Sequence, residues 1–168
     1  MIYAGIGSRN TPIRILKLME QVGSYLAKRG YTLRSGGAVG ADSAFEIGCD
    51  AVGGAKEIYK PDKVDQAAMD LAARFHPRFE DLGPFAQLLI ARDGYQVLGQ
   101  DLTTPCRFVM CWTPGAKIVG GTGQALRIAL HHKIPIINLA DPAQETLTLQ
   151  KMILNIDFLQ DTMYSLFE

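Results

Sequence analysis

This sequence has no recognisable mark of export, membrane insertion or metal binding. Its opening, MIYAGIGSRN, lacks a cationic segment followed by an apolar core and a cleavage site, and no apolar run approaches the roughly 20 residues of a bilayer span. A cytoplasmic protein without membrane attachment is expected. Its three cysteines, Cys49, Cys106 and Cys111, are odd in number and form no CxxC pair, so they read as free, buried thiols rather than disulfides or zinc ligands. His76, His131 and His132 make no metal-ligand spacing, and neither metal nor cofactor is expected. Charge of either sign is not in excess: 17 basic residues balance 17 acidic ones, which argues against a strongly cationic nucleic-acid binder and leaves room only for a local basic patch. Two nucleotide signatures are missing as well. No GxxxxGK[ST] loop and no complete GxGxxG fingerprint occurs, so triphosphatase and standard dehydrogenase chemistry lose support.

What is present is an alternation of short apolar runs with amphipathic segments over 168 residues, a length that suits one buried core. Strands are predicted at Met1 to Ala4, from Tyr31 to Leu33, at Ala55 to Tyr59, at Cys106 to Cys111 and at Ile134 to Asn138. The first helix carries Ile15, Leu18, Met19, Val22 and Leu26, with Asn10 or Thr11 as its cap; a second runs from about Ser43 to Cys49. Residues 62–99 read as two helical pieces, broken near His76-Pro77 and again near Gly83-Pro84. A further helix starts at Thr122 or Gly123, and a last one spans about Thr146 to Ile156. Phe158, Tyr164 and Phe167 would pack on the core or on a partner. The expected fold is α/β, a single doubly wound, mainly parallel Rossmann-like sheet flanked by helices. Residues 1–140 form the phosphate-binding domain and residues 141–168 a helical extension on the core or a partner subunit.

Three strands end in unusual loops: GIGSRN, SGGAVGAD and WTPGAKIVGGTGQ. Ligands of such sheets sit beyond the carboxyl ends of the strands. Gly36, Gly37 and Gly40 permit close backbone approach, and Gly120, Gly121 and Gly123 repeat the recipe with the Thr122 hydroxyl added; each loop can cradle an anion on N–H groups or simply pack tightly. Ser8 and Arg9, after Gly7, offer a hydroxyl and a guanidinium to the same anion. Ser35 belongs to the second loop. Arg34 either reaches this mouth or pairs with Asp42; Arg92, Gln96 and Trp112 are candidates for base or sugar contacts, against helix termination and core packing.

Asp42 and Glu46 lie four apart and can share a helix face. Together they could serve a sugar and its leaving base. In the competing reading Ser43 and Glu46 form a capping box and Glu46 only satisfies a backbone donor.

As a trio, GIGSR at Gly5 to Arg9, SGGAVGAD at Ser35 to Asp42 and GGTGQALRIA at Gly120 to Ala129 resemble the Rossmann-like domain of the DprA/Smf proteins within the SLOG nucleotide-binding superfamily. The resemblance covers about Met1 to Leu139. It implies loops that face a nucleotide or single-stranded DNA, a role in recombination, and assembly as a homodimer. Carried over by position, Ser8 and Arg9 fall in the first binding loop, Ser35, Gly36, Gly37, Gly40 and Asp42 in the second, and Gly121, Thr122 and Gly123 in the third. A related branch, the phosphoribohydrolases, carries PGGxGTxxE, whose glutamate serves glycosidic cleavage; here the stretch reads VGGTGQALR, with no such glutamate. The first functional expectation is therefore a protein that binds a nucleotide or single-stranded DNA. The alternative is a nucleoside 5'-monophosphate N-glycosidase in which Asp42 orients the ribose and Glu46 assists water.

Overall fold

A computed structural model describes residues 1–159. Five strands, β1 (Ile2–Gly5), β2 (Thr32–Ser35), β3 (Lys56–Ile58), β4 (Val109–Cys111) and β5 (Ile136–Asn138), form one sheet in the order β3-β2-β1-β4-β5, with every pair parallel. The order reverses between β1 and β4, as in a doubly wound Rossmann-like sheet. Side chains alternate across it. Tyr3, Phe108 and Met110 join the cluster under α1 (Ile13–Lys28) and α2 (Ala41–Asp50), whereas Ala4, Val109 and Cys111 join the one on the opposite face. Burial on both faces is why these strands read as near-continuous apolar runs.

The second face is covered by α4 (Pro84–Leu98) and α5 (Thr122–His131), with α3 (Gln66–Phe75) packed outside them. The breaks at His76-Pro77 and Gly83-Pro84 fall where the sequence places them, and Pro84 opens α4 at a position where its missing N–H costs nothing. Both final strands are shorter than expected, each covering only the last three residues of its apolar run. Helix caps also differ. Neither Asn10 nor Thr11 caps α1: Pro12 takes that position, and Thr11 Oγ1 donates to Ser8 O at 2.7 Å. The helix α6 runs from Pro142 to Ile153, earlier than expected because Asp141 caps it by accepting from Ala143 N–H. Beyond it Phe158 stacks on Phe108 with ring centroids 6.0 Å apart; Tyr164 and Phe167 lie outside the described residues. No described helix is long and apolar enough to cross a membrane.

Glycines at the α1–α2 crossing stand where no side chain fits. A Cβ on Gly23 would stand 2.5 Å from Phe45 O, and one on Gly48 would collide with Glu20 O. Both obstacles are backbone, so relief requires moving a helix. Gly48→Ala is therefore expected to lower stability by about 1–3 kcal/mol, the usual cost of overpacking, outweighing alanine's better helix propensity. Thermal unfolding of the variant measures this; an unchanged midpoint would contradict the packing.

Candidate functional site

At the switch point between β1 and β4 lies a cleft of about 370 Å³. Its walls come from separate parts of the chain: Gly7 to Asn10 after β1, Ala38 and Asp42 around the second loop, Leu89 to Gln96 on α4, Thr113 and Pro114 after β4, and Val119 to Thr122 at the start of α5.

The β1 and β2 loops are locked together before any ligand arrives. Asp42, at 3% exposure, accepts Gly7 N–H on Oδ1 at 3.1 Å and, on Oδ2, Gly36 N–H at 3.1 Å and Ala38 N–H at 3.5 Å. Gly40 lets the loops touch: its φ is +101°, and a Cβ there would sit 2.8 Å from Ser8 O and Arg9 Cα. The second glycine loop is thus a cradle already filled by the protein's own carboxylate. This internal anion takes donors that a phosphate would otherwise use.

Below it lies a buried polar network. Arg92 Nη1 donates to Gly36 O at 2.8 Å, and its Nε stands 3.5 Å from Asp93 Oδ1 without forming a directed hydrogen bond. Gln96, with its amide oriented to suit both neighbours, donates to Asp93 Oδ1 at 3.3 Å and accepts Gly36 N–H at 2.9 Å. Burial pushes Asp93 up to about 8, opposed by Arg92 and reinforced by Asp42. Burial also raises Asp42, but Arg92 and its three N–H donors oppose that rise, and no acceptor is among its partners to receive a carboxyl proton. Asp42 thus has three N–H donors to hold a negative charge, whereas burial favours the proton on Asp93.

The opposite wall keeps its donors. Among the described residues, backbone N–H groups of Gly121 and Thr122, at the start of α5, have no backbone acceptor. Ser8 Oγ accepts Asn10 N–H at 3.1 Å, leaving its own hydrogen to donate, and exposed Arg9 stands beside it. Thr113 is fixed from behind: Asn138 Nδ2 donates to its Oγ1 at 2.7 Å, and Asn138 Oδ1 accepts its N–H at 3.3 Å.

Of the residues singled out from sequence, Gly7, Ser8, Arg9, Asp42, Arg92, Gln96, Gly120, Gly121 and Thr122 line this cleft. Ser35, Gly36, Gly37, Gly40 and Gly123 do not; Gly36 and Gly40 shape it from behind. Arg34 is buried and pairs with Glu57 at 2.6 Å and Thr104 O, not with Asp42. Trp112 packs against the α1–α2 core, and its carbonyl accepts Ser8 N–H. The capping box does not form. Gly40 caps α2, Ser43 Oγ donates to Ala38 O, and Glu46 pairs with Lys56 at 2.8 Å, away from the cleft lining. Asp93 and the Leu89–Ile90 wall have no counterpart among the sequence-predicted residues, whereas Asn10 and Thr113 lie in the GIGSRN and WTPGAKIVGGTGQ loops without having been singled out. An Arg-Asp pair inside the apolar segment LLIARDGYQVL is the one signal that could have exposed Asp93, since charges there must be buried together.

No protein-family model matches this sequence, and no curated protein matches it. Among solved structures, DNA processing protein A from Helicobacter pylori, described for its single-stranded DNA binding mode, superposes with a TM-score of 0.58 at 16% identity, covering 94% of this chain and 82% of that one. DNA processing protein A (DprA) from Streptococcus pneumoniae gives 0.57 at 18% identity; the match covers 94% of this chain and 62% of the pneumococcal one, under two thirds of its length. The chain has a DprA-like, Rossmann-type fold.

Proposed function

We propose that this chain is a DprA-like protein that binds single-stranded DNA, taking a nucleotide unit into the cleft between β1 and β4 and serving DNA processing or recombination. One observation carries the reading: the second glycine loop is occupied by Asp42, whereas the α5 N-terminus, Ser8 and Arg9 line the same cleft with donors to spare. A phosphate belongs on that wall, held by helix N–H groups and one guanidinium. The acids beneath do not repel it, because Asp42 is neutralised by its donors and Arg92 while Asp93 holds a proton. The two solved structures named above are DNA processing proteins, which supports the polymer ligand over a free nucleotide.

Arg9 is the exposed cation of this wall, so Arg9→Ala is expected to weaken binding of a fluorescent oligothymidylate about tenfold. The slope of log affinity against log salt should become shallower by about 0.7, the single-strand value for one phosphate contact. Salt-independent binding, or none to single strands, would reject the proposal.

A further inference from the structure

The cleft does not end at α5. A second hollow of about 440 Å³ shares Leu89, Ile90, Gly120 and Gly121 with it and continues past the glycines to His76, Pro77 and Arg127. The dividing ridge is low: neither Gly120 nor Gly121 has a heavy atom within 4 Å of where a Cβ would stand. The annex has an apolar floor, with Leu82 and Ala86 beside the shared Leu89 and Ile90, and a cationic far end. Arg127 Nη2 donates to Gln124 Oε1 at 3.2 Å, while its Nε is buried without a partner among the described residues.

The geometry points to a binding site for two adjoining nucleotides of one strand, the second base lying in the annex and the linking phosphate crossing the Gly120–Gly121 ridge. This rests on the proposed cleft site and makes the ligand a strand rather than a mononucleotide. An apolar slot beside an imidazole and a proline accepts the face of any base, and the neighbouring guanidinium suits the phosphate that follows. The occupant is fixed by continuity: a group in the annex must be joined to one in the cleft across a ridge made only of glycine backbone.

The test compares thymidine 5'-monophosphate with the dinucleotide pdTpdT by calorimetry, using the parent chain, Ala86→Trp to fill the annex, and Arg127→Gln. In the parent, pdTpdT should bind at least about fivefold more tightly, the lower end of what one stacked base contributes. Ala86→Trp should erase the gain and leave mononucleotide affinity unchanged, and Arg127→Gln should reduce it. Equal affinity of the parent for both ligands would overturn the annex while preserving the cleft reading, as would a gain that survives in both variants. If neither ligand binds, both proposals fall.

Discussion

Replacing Asp42 by alanine is expected to remove about 3–5 kcal/mol of folding stability, a large part of the 5–15 kcal/mol a domain of this kind possesses. Gly7 and Ala38 lose the acceptor of their N–H groups, Gly36 keeps only Gln96, and buried Arg92 loses a nearby opposite charge. The urea midpoint should fall with little change in slope. Asp42→Asn retains one acceptor but turns an amide donor toward an N–H, so an intermediate loss is expected. Glu46→Gln is the contrast: its ion pair with Lys56 is partly solvated, and losing it should cost under about 1 kcal/mol. DNA binding should disappear with Asp42→Ala even where the variant remains folded, because the β1 loop carrying Ser8 and Arg9 is held to the second loop through this carboxylate. An alanine variant as stable as the parent would remove Asp42 from its structural role.

The contrast between Asp42 and Glu46 also marks how far the sequence could be read. Glycine loops at successive strand ends disclose the sheet, its parallel sense and the end at which the cleft opens, because a short strand-to-helix turn there needs residues that allow close backbone approach. Whether a particular carboxylate touches ligand or backbone depends on partners far along the chain. Gly7 is 35 residues from Asp42, and no local pattern announces that contact. Ser43-x-x-Glu46 has capping-box spacing, but a capping box also requires Ser43 to be the first, non-helical residue; Gly40 takes that place because only it tolerates the approach of Ser8 and Arg9. Arg34 is the same lesson in a strand. Its partner is set by the neighbour β3, where Glu57 lies in register.

Asp93 supplies the second large effect, and its sign is distinctive. Its carboxyl is pushed up to about 8 from an ordinary 3.8, chiefly by burial. Between those values the folded protein holds a proton that the unfolded chain releases, so stability is greatest at the acidic end and is lost as pH rises through 8. From pH 5 to 8 the loss is on the order of 3 kcal/mol, near the limit of about 1.4 kcal/mol per pH unit for one proton. Arg92 and Arg127 oppose the rise of Asp93 without reversing it. Asp93→Asn keeps the shape and removes the titration. The variant should match the parent near pH 5, show a much flatter stability profile, and exceed the parent above pH 8. DNA affinity follows the same group: ionised Asp93 adds a second negative charge to the cleft beside Asp42, so parental binding should weaken above about pH 8 while Asp93→Asn binding does not. A parent with flat stability from pH 5 to 8, or an asparagine variant with the full slope, would show that the proton resides elsewhere.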